Sequence, residues 1–138
     1  MKKQLLPAIL LLLTAACTKD DKGGNRNNPT GSNPISGNWK VSYYYDNNKD
    51  ETGDYTPYTF SFNSNGSLGV SGSGQAQSGT WAQISDDGRQ KMVITINTTN
   101  DKLLELNDDW VISSRTDTRI QLNDDNPARN GQLHFQRQ

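Results

Sequence analysis

The sequence predicts an all-β domain, an eight-stranded antiparallel up-and-down barrel, with a two-sheet β-sandwich as the alternative. Three observations lead there. From about Ile35 onward, apolar residues alternate with polar ones at period two rather than recurring at helical spacing. The alternating runs are short and are separated by Gly, Asn and Asp. Eight such runs follow one another through roughly 100 residues, a length that holds one modest core.

Trp39, Val41, Tyr43 and Tyr45 alternate with Lys40, Ser42, Tyr44 and Asp46, which gives a first strand with one apolar face. Tyr58, Phe60 and Phe62 form the second, and Asn65-Gly66 turns the chain because both residues tolerate positive φ. Leu68 and Val70 begin a third strand. A fourth runs near Ala76 to Ile84 and carries Trp81, and Asp87-Gly88 marks the next turn. Met92, Ile94 and Ile96 give the fifth. Leu104, Leu106, Trp110 and Ile112 share parity in a sixth, with a break at Asp108-Asp109. Ile120 and Leu122 give the seventh, after a tight turn near Arg115 to Asp117, and Leu133 with Phe135 gives the eighth. No segment carries a strong helix signal. A meander of this size avoids exposed edges most simply by closing on itself. Strand pattern alone does not separate that solution from a sandwich.

The N-terminus sets the address. Lys2 and Lys3 precede an apolar run from Leu5 to Leu13, followed by Thr14-Ala15-Ala16 and Cys17. This is the layout of a secretory signal with small residues before the cut. The run is about half of the ~20 residues that span a bilayer as a helix. Cys17 is the only cysteine, so an intramolecular disulfide is excluded. Residues 1–16 are therefore expected as signal, 17–34 as tether and 35–138 as the folded domain. The tether holds no large apolar residue and spans on the order of 20–25 Å as a flexible coil. The chain has 14 basic and 15 acidic residues, and loss of Lys2 and Lys3 with the signal leaves 12 against 15. Without a basic face, nucleic acid is not expected as a partner.

Leu13-Thr14-Ala15-Ala16-Cys17 resembles the lipobox of bacterial lipoproteins, with Thr14 where that family prefers leucine. The resemblance implies a diacylglycerol on the Cys17 sulfur and an acyl chain on its nitrogen, and two chains suffice for stable anchoring. Lys19-Asp20-Asp21 is similar to an acidic export tag that sends lipoproteins to the outer face of the Gram-negative outer membrane. The expected location is thus the outer membrane, at the cell surface. Further along, Gly37-Asn38-Trp39 resembles the Gly-x-Trp of lipocalins. Tyr58-Thr59-Phe60-Ser61-Phe62, Asn65-Gly66, Gly79-Thr80-Trp81, and Leu106 to Trp110 followed by Ile120-Gln121-Leu122 look like the short lipocalin-like (calycin) domains of bacterial lipoproteins. In a closed eight-stranded meander the first and last strands pair antiparallel, which brings Trp39 beside Arg137. Lipocalins set an arginine across that tryptophan, so the resemblance implies that Arg137 closes the barrel base by cation–π contact.

Enzyme chemistry is thinly supplied. His134 is the only histidine, and its parity opposes Leu133 and Phe135. No Ser-x-x-Lys or Gly-x-Ser-x-Gly occurs, and no cysteine besides Cys17 is present as a nucleophile. Catalysis is not expected, and no cofactor is implied.

The loops carry more. Alternate connections of a meander share an end, which gathers Asp46, Asp50, Glu51, Asp54, Asp101, Glu105, Asp108, Asp109, Asp124 and Asp125 at one rim, against Lys49, Lys102 and Arg129. The other end sets Asp86, Asp87 and Asp117 against Arg89, Lys91, Arg115 and Arg119. The acidic rim corresponds to the ligand entrance of a lipocalin. It suits a cationic or neutral small molecule or a short polymer, and Asp108, Asp109, Asp124 and Asp125 are the candidate metal ligands. Tyr43, Tyr45, Phe60, Phe62 and Trp110 are the candidate pocket lining, although eight-stranded barrels are narrow enough to be filled by their own side chains.

Two functions follow. One is a surface-anchored lipocalin-like binder of a small apolar or glycan ligand. The other is a non-enzymatic protein- or glycan-interaction module with a filled barrel and an exposed aromatic patch, for which Tyr44, Tyr55 and Tyr58 are candidates. Both rest on the anchor. Cys17→Ala is expected to release the protein from membranes on fractionation, and continued membrane association would remove the anchor.

Overall fold

The computed structural model describes residues 35–138; the signal, Cys17 and the tether lie outside the described residues. Nine strands run in chain order: β1 (Gly37–Asp46), β2 (Lys49–Asp50), β3 (Thr59–Phe62), β4 (Ser67–Ser71), β5 (Gln77–Asp86), β6 (Arg89–Asn97), β7 (Asp108–Arg115), β8 (Arg119–Asn123) and β9 (Gln132–Arg137). They form one antiparallel sheet, and β1 pairs with β9 to close it. β2 is a two-residue return on the end of β1, with Tyr45 opposite Asp50, which leaves eight strands in the wall. The result is a closed up-and-down barrel. A single sheet whose first and last strands are hydrogen-bonded excludes the sandwich.

Two of the turns show why the chain reverses where it does. Asn47 and Asn48 (φ 49° and 64°) join Asp46 to Lys49, and Asp87 and Gly88 (φ 49° and 73°) join Asp86 to Arg89. Two successive positive-φ residues match the right-handed twist of the strands they connect. In the Asn65-Gly66 pair only Gly66 takes positive φ, at 87°. The Gly66 N–H donates to the Asn63 carbonyl at 3.0 Å, so this turn is one residue longer than a two-residue hairpin.

The interior is aromatic. Phe60 and Phe62 set their rings edge-on to Phe135 at 5.3 and 5.4 Å, and Phe62 meets Trp81 at 5.7 Å. Such T-shaped pairs place the positive edge of one ring against the negative face of the next. The indole N–H of each tryptophan donates to a main-chain carbonyl: Trp39 to Ile35 at 2.7 Å, Trp81 to Asn63 at 2.9 Å and Trp110 to Leu106 at 3.0 Å. No buried indole donor is left without a partner, which removes a penalty of about 1–3 kcal/mol each.

β1 departs from simple alternation. Val41 lies opposite Phe135 and Tyr43 opposite His134, so Ser42 is an extra residue in the strand. A bulge of one residue moves every later side chain to the other face. Trp39, Val41 and Tyr44 therefore face the core, and Tyr43 and Tyr45, expected inside, face outward and are half-buried. The Ser42 hydroxyl donates to the His134 carbonyl at 3.3 Å, which accompanies the bulge.

The second departure is at residues 101–106. The Asn100 side chain accepts from the Leu103 N–H at 3.2 Å and starts a one-turn helix, α1 (Asp101–Leu104). Helical phase sends Leu103 and Leu106 inward and leaves Leu104 42 % exposed, whereas strand parity groups Leu104 with Leu106. A single turn is too short for the 3.6-residue period to register. The local signal is the Asn-Asp pair at the cap.

At the base, Arg137 lies opposite Trp39 in the β1–β9 register, and its guanidinium carbon stands 4.4 Å from the centre of the indole ring. Its Nη1 donates to the Ser36 carbonyl at 2.7 Å and its Nε to the Asp117 carbonyl. Gly37, at φ 129°, makes room for it: a Cβ there would collide with the guanidinium. One side chain thus ties the entry to β1, the β7–β8 turn and the indole. Arg137→Ala is expected to lower stability by about 1–3 kcal/mol in chemical denaturation. An unchanged midpoint would show that the base closes without it.

Candidate functional site

The interior holds no ligand space beside its aromatic residues. Phe60, Phe62 and Trp110, candidates for a pocket lining, are 0, 1 and 2 % exposed, and Tyr44 is 1 % exposed. A void large enough for water would leave accessible surface on the side chains around it. These residues are core, and the proposed lining by Tyr43 and Tyr45 fails because the bulge turns both outward.

The loop-rich end is partly covered. A 3-10 turn (Thr52–Tyr55) and α1 lie across it. Tyr55, fully buried, meets Tyr44 edge-on at 4.8 Å, and its hydroxyl donates to the Lys102 carbonyl at 2.9 Å with the Glu105 carboxylate as a second acceptor at 3.1 Å. Burial, with Asp46 near Tyr44, pushes both phenols well above the ordinary tyrosine range, so both stay protonated. Lys102 binds Glu51, Asp54 and Glu105 at 3.1–3.3 Å. The hydrogen bonds to Glu51 and Glu105 hold its ammonium above the usual lysine range, and Lys49 and Lys102 hold Glu51 below the usual carboxylate range. Tyr44, Tyr55 and Tyr58 are all buried, so they do not form the exposed patch that an interaction module calls for.

The acidic rim is less acidic than its composition. Lys91, grouped by sequence with the opposite end, projects from the outer face of β6 and is only 1 % exposed. Its ammonium binds Asp86 of β5 at 2.8 Å, Asp109 of β7 at 2.9 Å and Asp125 of the β8–β9 loop at 2.8 Å. Arg129 lies 3.6 Å from Asp124 and 4.0 Å from Asp46. The four carboxylates proposed for a metal are therefore divided. Asp109 and Asp125 serve Lys91 and sit below the ordinary carboxylate range because of it. Asp124 serves Arg129. Asp108 shares the inward parity of Trp110, and burial raises its carboxyl above the ordinary range. Among the described residues no three His, Cys, Asp or Glu side chains are arranged to hold a metal ion.

What the surface does offer is an aromatic strip. Tyr43 and Tyr45 lie with ring centres 6.2 Å apart and planes 10° from parallel, and His134 on β9 stands 5.1 Å from Tyr43. Burial, with Arg119 nearby, holds the imidazole below its ordinary range, so the strip is uncharged at neutral pH. Half-buried amides flank it: Gln132 opposite Tyr45 on β9, and Gln121 opposite His134 on β8. The sequence hides this face because one unpaired serine sets its phase. Two clefts open at the loop-rich end. One, of about 240 Å³, lies between the β4–β5 loop and the approach to α1, beside Tyr58. The other, of about 220 Å³, lies within the β8–β9 loop.

No family model and no curated protein matches this chain. Among solved structures, the barrel is similar to a DUF4847 family protein from Bacteroides vulgatus, with a TM-score of 0.55 and 15 % identity over 75 % of this chain and 93 % of that one. At that identity the likeness concerns the fold alone.

The hydrogen bonds from Lys91 hold the Asp109 and Asp125 carboxyls below the ordinary carboxylate range in the fold. Their contribution is present above the unfolded carboxylate value of about 3.9 and is lost as pH falls through the lower folded value. Lys91→Met leaves three carboxylates facing one another. Its melting midpoint is expected several degrees below that of the parent at neutral pH, with the gap closing in acid. A gap that is constant with pH would show that the lysine acts through packing alone.

Proposed function

We propose that this chain is a lipid-anchored, non-enzymatic interaction module of the cell surface that engages a protein partner through the outer face of β1 and β9. The observation that carries the reading is the uncharged strip of Tyr43, Tyr45 and His134 on the wall of a barrel whose interior is already full. Tyrosine supplies large contact area at low conformational cost and is enriched among the residues that dominate protein interfaces. A convex wall is suited to a macromolecule rather than to a small ligand.

Several features support the setting. The lipobox-like stretch ending at Cys17 and the Lys19-Asp20-Asp21 that follows it favour an anchor in the outer membrane with outward exposure. The meander order, Gly37-Asn38-Trp39 at the base and the contact of Arg137 with Trp39 favour a lipocalin-like origin for the barrel. An anchor joined to the chain at the base favours a loop-rich end that faces away from the membrane. The filled interior weighs against a small apolar ligand inside the barrel and leaves the clefts of the rim as the places for small ligands.

Photo-crosslinking from position 43 or 45 in intact cells is expected to capture a protein. Tyr43→Ala combined with Tyr45→Ala should weaken that binding by about 2 kcal/mol or more, while stability changes by no more than about 1 kcal/mol. Crosslinks only to lipid or glycan, or capture unaffected by the double substitution, would refute the reading.

A further inference from the structure

The cleft between the β4–β5 loop and α1 lies across the rim from the aromatic strip and has different chemistry. We infer that it is a binding site for a neutral polyhydroxylated ligand about the size of one sugar ring, held by Gln75, Gln77, Thr99 and the Tyr58 hydroxyl.

Charge is the first consideration. Glu51, Asp54, Asp101, Glu105, Asp108 and Asp124 all belong to this end of the barrel, yet no residue that lines the cleft is charged. A cation, an anion or a zwitterion would find no counter-charge in it. The lining consists of amides and hydroxyls, with the Tyr58 ring and the Leu103 side chain as its apolar part. That mixture of forked donors and acceptors with a small apolar floor matches a molecule that carries hydroxyls on a carbon ring. The volume of about 240 Å³ equals roughly eight waters at their liquid volume. That is room for one such ring.

The polar groups are also free to act. The side chains of Gln75, Gln77 and Thr99 make no hydrogen bond to another described residue. The Tyr58 hydroxyl accepts from the Asn100 Nδ2 at 3.0 Å, and its own hydrogen has no acceptor among the described residues. Asn100 is in turn fixed by capping α1. This is a phenol held in place with its donor unspent.

The walls are set before any ligand arrives. Gly72, Ser73 and Gly74 take successive positive φ values of 131°, 51° and 82°. A Cβ on Gly72 would collide with the Pro57 carbonyl, so the β4–β5 loop is pressed against the residues leading to Tyr58. A serine in the left-handed region is uncommon and costs energy that its surroundings must offset. A wall whose backbone is constrained in this way has less freedom to lose on binding.

The test uses the full chain carrying Cys17→Ala, observed by amide NMR and titrated with the methyl glycosides of glucose, galactose, mannose and N-acetylglucosamine. At least one glycoside is expected to shift the amides of residues 72–77 and 98–100 saturably, with a dissociation constant on the order of 1–10 mM. Gln77→Ala with Thr99→Ala should weaken it at least about tenfold and leave the rest of the spectrum in place, since one residue is half-buried and the other exposed. Tyr43→Ala with Tyr45→Ala should leave the titration unchanged, which separates this site from the outer strip. The inference is overturned if none of the glycosides moves these amides up to about 100 mM, if the shifts persist undiminished in the Gln77/Thr99 variant, or if lysine, glutamate or phosphate moves them at lower concentration.

Discussion

The barrel depends on one seam. Eight strands satisfy their neighbours in sequence order, but β1 must also accept β9, and that pairing decides whether the sheet has two open edges or none. The seam holds because β1 is ten residues long and bends. Its first half pairs with β9 and β3, its second with β9 and β2. The extra residue at Ser42 supplies the bend and also resets the phase of everything beyond it. From that reset come both the filled interior, with Tyr44 as its upper plug, and the outer strip of Tyr43 and Tyr45. An inside and an outside that look like separate features therefore share one cause.

The electrostatics of the molecule follow a similar economy. Each of three cations gathers carboxylates from more than one place along the chain: Lys91 from β5, β7 and the β8–β9 loop, Lys102 from the segment after β2 and from Glu105 beside it, and Arg129 from β1 and from its own β8–β9 loop. The rim keeps many acids, and those paired with Lys91, Lys102 and Arg129 hold loops to the wall. Of the two clefts at that end, the one beside Tyr58 has no charged lining residue.

Much of this was readable in the residues. Period-two alternation of Leu68 with Val70, of Met92, Ile94 and Ile96, and of Leu133 with Phe135 places each of these strands with the right face inward. The closing of the first strand on the last follows from the meander, and with it the nearness of Trp39 and Arg137. What escaped was phase. A bulge leaves no compositional mark when the inserted residue is a serine between a valine and three tyrosines, each equally suited to either face. The single turn of α1 escaped because one turn has no period. Pairings across the wall, such as Lys91 with Asp125, escaped because they depend on how far the strands stagger, which a linear pattern does not carry. The aromatic strip and the rim cleft inherit these gaps: the strip depends on the bulge, and the cleft on the cap at Asn100.

The seam also has a consequence in time. It joins residue 39 to residue 137, nearly the greatest sequence separation the domain allows. Contacts of that span carry a large loop-closure cost and form late unless something local prepares them. The hairpins β5–β6 and β7–β8 close on tight turns and can form early. β1 cannot find its last partner until the final strand is available. A chain threaded through a membrane from its N-terminus would thus emerge with an unsealed β1, its bulged edge bare, and would become a barrel only when the last few residues arrive.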